Sequence, residues 1–382
     1  MNKFKNASQK LLKSAAALPA LAAASGAPVD AELNYRYSNY SEDDVAPEVN
    51  VLVGDRSRYT IDVHQLRYFT PVGDGFSLEV NLLSESMSGA SPQAVEWANG
   101  EPGLIMSGAS IMENRQDMSV RLTEYKSAFN WSVEAGQSTE NDYKSGYLAG
   151  GIDFSFNQNN TVLALAISLA TDDITPTDAE LFNRVIAEEK STNSYSITLS
   201  QIVTKNNIIM LGYSHTVSEG FLSDPYKLND FRPDSRAQDA VSLQWRSFLS
   251  GPDAAVHVNY RYYQDDWELD SHTIDLEWHQ NFSNGIQLVP ALRYYSQTEA
   301  FFYEPFAVNN QVPETFSTDF RLSPYGAISY KLAFIQRFSQ WSYTVSFERY
   351  ESDASFSFNN IAIENPGLVN YNRVTVGFDF RW

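Results

Sequence analysis

The chain has 382 residues, a formal net charge of −20 at pH 7 and no Cys. Without Cys, neither a disulfide framework nor thiolate chemistry is available, and the acidic excess argues against a nucleic-acid partner. The mean hydropathy is negative, and beyond the N-terminal segment no apolar run reaches the roughly 18 residues of a helical membrane span.

The N-terminal segment has the pattern of a secretory signal peptide. Lysines precede an apolar stretch over residues 15–24, and Ala22 and Ala24 form a small-x-small cleavage site. We therefore predict a signal peptide over residues 1–24 and a single β-barrel domain over residues 25–382, beginning near Ser25. The polypeptide is expected to leave the cytoplasm.

From residue 31 onward, apolar and polar residues alternate with the period of a β-strand in about sixteen segments. The strands that these segments mark are of the order of 9–11 residues, the length that a tilted membrane strand needs. Gly150 and Gly151 indicate a bulge in the sixth segment. The segments lie at residues 33–37, 58–64, 76–82, 118–122, 129–133, 147–156, 163–169, 195–199, 209–213, 241–245, 256–262, 274–278, 286–294, 328–334, 341–347 and 373–382.

The connections alternate between short and long. Short turns are expected at residues 71–75, 126–127, 157–160, 204–207, 250–253, 281–285 and 336–340, and long polar loops between them. This alternation predicts an all-β fold, a transmembrane antiparallel up-and-down barrel with short periplasmic turns and long outer loops.

The polar face of these strands is predicted to line an aqueous lumen. Its charges either set a field across a pore or pair with one another. In the second segment Tyr59, Ile61 and Val63 are expected to face lipid. The predicted lumenal charges are Arg36, Asp62, His64, Glu79, Arg121, Glu134, Arg246, Arg261, Asp275, Glu277, Arg293, Lys331 and Arg373.

Two stretches, residues 213–236 and 260–273, are denser in reactive side chains than solvation requires. Both contain Ser-His-Thr, and the second also contains the words Arg-Tyr-Tyr and Asp-Asp-Trp. In these segments the chain resembles a proteobacterial family of unknown function, predicted to be outer-membrane barrels. The resemblance implies location and architecture but no catalytic role. The tendency of family members to be encoded near thioredoxin-like and flavin-transfer proteins implies a redox or envelope-assembly setting.

Three interpretations of these stretches stay open. Imidazole and carboxylate ligands at the outer rim suit Zn²⁺, Mn²⁺ or Fe²⁺, basic side chains suit an anion, and the two sets together suit a salt-bridged loop plug. The candidate metal ligands are His215, Glu219, Asp224, Asp265, Asp266 and His272. The candidate anion clamp is Lys227, Arg232, Arg236 and Arg261.

The last strand resembles the C-terminal signal that the barrel-assembly machinery reads in bacterial outer-membrane barrels. A polar residue, then Gly two positions later and aromatics at the third-last and last positions make up that signal. Thr375, Gly377, Phe380 and Trp382 occupy these positions.

The predicted function is a porin-like channel or transporter for small solutes in the outer membrane of a Gram-negative bacterium. The alternative is a non-conducting scaffold that binds a small lipoprotein or a redox partner. Expected partners are outer-membrane lipid and lipopolysaccharide, to which acidic loops could be bridged by divalent cations. No enzymatic activity and no cofactor are expected, because adjacent Ser and His point to opposite faces of a strand; a bound divalent metal is the one open possibility.

Overall fold

The computed structural model describes residues 27–108, 111–307 and 313–382. The predicted signal peptide and the expected start at Ser25 lie outside these residues. No helix in the described ranges is long and apolar enough to cross a membrane. In chain order the strands are β1 (Glu32–Glu42), β2 (Val51–Val53), β3 (Thr60–Val72), β4 (Phe76–Gly89), β5 (Pro92–Ala98), β6 (Glu101–Met106), β7 (Ile111–Tyr125), β8 (Phe129–Thr139), β9 (Tyr143–Phe156), β10 (Thr161–Ile174), β11 (Glu188–Thr204), β12 (Asn207–Gly220), β13 (Ser235–Leu249), β14 (Ala254–Asp265), β15 (Asp270–Asn281), β16 (Ile286–Gln297), β17 (Tyr325–Arg337), β18 (Trp341–Asp353) and β19 (Tyr371–Arg381). Three 3-10 helices lie in the connections, at Ser283–Gly285, Phe320–Leu322 and Ala354–Phe356.

Sixteen of these strands form a closed antiparallel barrel. The order around it is β1, β3, β4 and then β7 to β19 in sequence, and β19 returns to pair with β1 from Glu32↔Arg381 to Glu42↔Tyr371. Closure leaves no strand edge unpaired, as crossing a bilayer with strands requires. The predicted fold class and strand number are confirmed, and every predicted segment overlaps a barrel strand.

On most barrel strands the outer face is mainly apolar and the inner face is mainly polar or small. On β10, Leu165, Ile167 and Leu169 are exposed on the outside, while Val162 and Ala164 are buried on the inside. The strand period of two produces this division, since successive side chains point to opposite faces. Lipid therefore takes the place that a core would have in a water-soluble sheet.

The face assigned to β3 from the sequence is wrong. Tyr37 lies directly opposite His64 and Asn39 opposite Asp62, and directly opposite residues share a face. Since Tyr35 on the same face of β1 is exposed on the outside, Asp62 and His64 also face outward. Ile61 is only 2% exposed and packs inside the barrel with Tyr59 and Met87.

The bulge predicted at Gly150 and Gly151 is also absent. Both glycines pair in unbroken register with β8 and β10. A Cβ on Gly151 would lie 3.1 Å from the Ser132 side-chain oxygen. Gly151 therefore avoids a close contact with Ser132 within a regular strand and does not mark a bulge.

The two ends of the barrel differ, as predicted. Short periplasmic turns join the strands at one end, where β1 also begins and β19 ends. Most of the outer connections are long, but those between β8 and β9 and between β14 and β15 are short. The sequence did not predict β2, β5 and β6, which form a separate three-stranded sheet from two outer loops.

Candidate functional site

The long outer loops pack on one another above the barrel mouth. We call this assembly the cap and define it as residues 43–59, 90–108, 221–234, 298–307, 313–324 and 354–370. Backbone hydrogen bonds cross between its loops: Leu228 N donates to Gln93 O at 3.1 Å, and Ala307 N donates to Val95 O at 2.9 Å. The cap is thus a folded layer that draws on loops from all around the barrel.

Apolar packing gives the cap a small core of its own. Val95, Leu104 and Met106 are at most 2% exposed and form one cluster. A second cluster joins Phe302 of the cap to Trp267 in the turn between β14 and β15, and their rings meet edge to face with centroids 5.0 Å apart. Burial of such side chains, at roughly 1.5–3 kcal/mol each, stabilises the loops in one arrangement.

A buried group of charges ties two of these loops together. We call it the cap ion network; its members are Asp224, Lys227, Asp230, Arg232, Asp319 and Arg321. Asp319 is at its centre: its side chain is fully buried, 2.8 Å from Arg232 Nη2 and 3.5 Å from Lys227 Nζ. Arg321 contacts Asp319 and lies 3.0 Å from the Asp224 carboxylate.

The opposite charges keep these carboxylates ionised despite their burial. Burial alone would raise the pKa of Asp319, but the charges of Arg321, Lys227 and Arg232 hold this pKa well below its ordinary value. Burial likewise opposes ionisation of Asp224, and the charges of Arg321 and Lys227 lower its pKa to about 2. These two carboxylates are therefore charged at neutral pH.

The six predicted metal ligands lie in separate settings and share no centre. His215 and His272 are on the outer face of the barrel: His215 Nδ1 is 2.9 Å from Asp239, and His272 Nδ1 is 2.8 Å from the Tyr260 hydroxyl. Tyr213 donates to the same Asp239 at 2.6 Å.

The four predicted carboxylates are distributed as follows. Asp224 belongs to the cap ion network. Asp265 is on the inner face and pairs with Arg236, while Asp266 accepts from the Ala237 backbone N at 3.0 Å. Glu219 lies at the outer end of β12. Because the two strands β13 and β14 separate β12 from β15, the two histidines are on the order of 14 Å apart at a strand spacing of about 4.8 Å.

The predicted anion clamp is also divided. Lys227 and Arg232 face carboxylates inside the cap ion network, and Arg236 pairs with Asp265 while stacking over Trp267 at 4.2 Å. Arg261 lies over the Tyr263 ring at 5.2 Å. These contacts resemble the salt-bridged loop plug more than an anion site, because three of the four cations already have a carboxylate partner.

The inner wall of the barrel carries ion pairs between neighbouring strands. Arg121 contacts Glu134 at 2.5 Å and Arg67 contacts Glu79 at 2.7 Å. The arginine side chains of the wall remain partly exposed. Arg121 is 32% exposed, and Arg293, which pairs with Asp275, is 55% exposed. The inner wall therefore presents solvent-accessible charge.

One lumenal cluster was missed in the sequence. His257 on β14 and Glu277 and His279 on β15 bring their potential metal-ligand atoms within 4.8 Å of one another. The sequence did contain a signal: Glu-x-His places two donors on the same face of a strand. Recognising the third donor requires the pairing of His257 with Glu277 across the hairpin.

The residues of the predicted assembly signal divide between the two faces of β19. Phe380 and Trp382 pack with ring centroids 5.3 Å apart at the periplasmic end of the outer surface. Thr375 and Gly377 face inward opposite β1. A Cβ on Gly377 would lie 2.6 Å from the Arg36 side chain, which forms a 2.6 Å ion pair with Asp379. The Gly therefore leaves room for this pair.

Residues 2–372 match the model of the family described as "Protein of unknown function (DUF3570)". No curated protein matches the sequence. This match confirms the resemblance found in the sequence, and the family description states no activity.

Several solved outer-membrane proteins have a similar fold. CdiB from Acinetobacter baumannii matches with a TM-score of 0.50 and 7% identity over 92% of this chain and 60% of its own. The siderophore receptor PirA from Pseudomonas aeruginosa matches with a TM-score of 0.45 and 9% identity over 86% of this chain and 56% of its own. A BenF-like porin from Pseudomonas fluorescens Pf-5 matches with a TM-score of 0.44 and 9% identity over 92% and 98%. The chain thus spans little more than half the length of PirA, and identities this low show the fold alone.

Proposed function

From the closed, polar-lined barrel we propose that this chain, which belongs to the DUF3570 family, acts as an outer-membrane channel for small solutes, gated by the cap. The observation that carries the proposal is the partial exposure of the lumenal arginines, such as Arg121 and Arg293. A barrel filled by its own side chains would bury such groups. Barrels of about sixteen strands have room for an aqueous passage.

The paired charges of the wall suit small polar or ionic solutes. Arg36, Arg67 and Arg121 each face a carboxylate on a neighbouring strand, so charges of both signs are spaced around the passage. Such a wall replaces part of the hydration of a passing ion without trapping either sign. We therefore propose weak selectivity by charge and stronger selectivity by size.

The cap supports gating as the second part of the proposal. It covers the mouth with loops that have their own apolar clusters and a buried ion network. Breaking one ion pair in such a network weakens the attachment between the loops it joins, whereas the strand ladders below are independent of it. A cap of this kind can open while the barrel stays intact.

Planar-bilayer recording tests the channel. Folded protein should give ohmic steps that are short or infrequent, and the Asp319→Asn variant should stay open longer because the network loses its central charge. Asp43→Asn is the matched control, because this carboxylate pairs with Arg349 while remaining 40% exposed. Silence from both folded variants and from the parent would overturn the channel and favour the scaffold that binds a lipoprotein or redox partner.

Two further expectations belong to this proposal. We expect lipopolysaccharide to contact the outer rim, where hydroxyl, imidazole and carboxylate groups such as Tyr213, His215 and Asp239 suit a headgroup layer. We also expect no enzymatic activity. Ser214 lies opposite Ala240 on the inner face while His215 points outward, which keeps this pair from acting as nucleophile and base.

A further inference from the structure

Three potential metal ligands converge on the inner wall near the periplasmic end. His257 is three residues beyond the start of β14, and His279 is two residues before the end of β15. His257 lies directly opposite Glu277 in the hairpin, and His279 follows Glu277 by two residues. All three side chains therefore point into the lumen from one small area of the sheet.

The distances between the donor atoms are those that a shared ion requires. His279 Nε2 is 2.9 Å and His257 Nδ1 is 3.5 Å from Glu277 Oε2. Ligand atoms held about 2.0–2.2 Å from one metal ion in tetrahedral or octahedral geometry are separated by roughly 3–3.6 Å. The two imidazole rings have centroids only 4.0 Å apart, so small rotations would suffice to aim both nitrogens at one point.

The surroundings make the cluster accessible from the lumen. The side chains of His257, Glu277 and His279 are 26%, 33% and 20% exposed. The direct cross-strand neighbours of Glu277 and His279 include Ala291 and Ala255, whose short side chains leave room for water as a further ligand.

One nearby cation works against metal binding. Arg246 lies opposite His257 in the sheet, but its guanidinium donates to Asn259 at 2.6 Å and to Gln244 at 3.2 Å. Its hydrogen bonds are thus directed away from Glu277, whose negative charge stays available to a metal ion. The Arg charge is expected to lower the affinity without removing the ligands.

We propose that His257, Glu277 and His279 bind a divalent first-row transition-metal ion, with Zn²⁺ as the probe, in the wall of the lumen. Two imidazoles and one carboxylate suit Zn²⁺ and Fe²⁺ and are poor ligands for Mg²⁺. The proposal is independent of conductance and would hold for a channel or a scaffold.

Isothermal titration of the folded, metal-stripped protein in detergent with Zn²⁺ tests the site. One equivalent should bind, and His257→Ala, His279→Ala and Glu277→Gln should each raise Kd by at least about tenfold, because even loss of a group that only supports a ligand costs about 10–100-fold. Co²⁺ absorption spectra of the same variants report the ligand set directly.

The control is the double variant His215→Ala/His272→Ala, which removes the imidazoles of the outer face and should leave Kd unchanged. Folding of each variant is checked by circular dichroism and by heat-dependent migration in gels, and if one variant does not fold, the other two decide. The proposal is overturned if the folded parent shows no saturable binding, or if Kd is the same in the variants of the three ligands. It is also overturned if only the outer-face double variant loses binding.

Discussion

Replacing Asp319 by Asn should open the cap while the barrel stays folded. The Asp319 carboxylate is fully buried and faces Lys227, Arg232 and Arg321. Removing its charge leaves these cations close together without their central partner. Loss of one partner from a buried ion pair costs about 3–5 kcal/mol, and each 1.4 kcal/mol is tenfold. The open state of the cap should therefore become at least about 100-fold more populated.

Amide hydrogen exchange read by mass spectrometry measures this change. Exchange in residues 221–234 and 313–324 should accelerate by a similar factor, while the strands keep the slow exchange of the parent. In the control, Asp43→Asn removes a carboxylate that is 40% exposed and pairs with Arg349. Such surface pairs contribute up to about 1 kcal/mol, so this variant should change exchange less than about tenfold. Equal effects of the two substitutions, or accelerated exchange throughout the barrel, would refute the reasoning.

Three other outcomes follow from the same structure. The pKa of Asp224 is lowered from 3.8 to about 2, so its charge stabilises the cap above about pH 4, and this contribution is lost as pH falls through about 2. Pepsin cleavage within residues 221–234, normalised to an unstructured substrate, should therefore rise only below pH 4. Arg293→Ala leaves the lumenal Asp275 without its partner, so the reversal potential across a KCl gradient should shift toward cation preference, and an unchanged potential would contradict an open lumen. Gly377→Val puts side-chain atoms where the Arg36 side chain lies; overpacking costs about 1–3 kcal/mol, so the unfolding temperature measured by gel migration should fall, whereas Gly146→Val, at a position on β9 where a Cβ would meet nothing within 4 Å, should lower it less.

The strands could be predicted because lipid and water impose a strict period of two on every barrel strand. Where a strand departs from that division, the prediction failed. On β3 the inner face carries Ile61, which packs under the cap with Tyr59 and Met87, while the outer face carries His64 in contact with the Tyr35 hydroxyl at 2.8 Å. The rule that apolar side chains face lipid therefore gave the wrong face.

The cap could not be predicted because its contacts join residues far apart in the chain. Arg58 forms a buried pair with Glu42 and also donates to the Gly367 carbonyl oxygen at 3.1 Å, across 309 positions. Asp224 and Arg321 are separated by 97 positions. No periodicity in the sequence encodes such pairs. The high density of charged side chains in residues 213–236 did indicate a functional or structural site. It did not indicate whether these side chains bind a metal ion, bind an anion or pair with one another.

The lumenal cluster shows the opposite case, a site within reach of sequence reasoning. The hairpin of β14 and β15 turns over only four residues, 266–269, so its register follows from the turn, and His257 then falls opposite Glu277. The histidines of Ser-His-Thr drew attention instead, although both lie on the outer surface.

The pairing of β1 with β19 has a consequence for how the protein is made. Glu32 meets Arg381 across 349 positions, and contacts between residues so far apart in the chain form slowly. Until β19 pairs with β1, the sheet has two unpaired edges, and each can pair with a strand of a neighbouring molecule. We therefore expect folding of this barrel to require that both edges stay shielded until β19 pairs with β1.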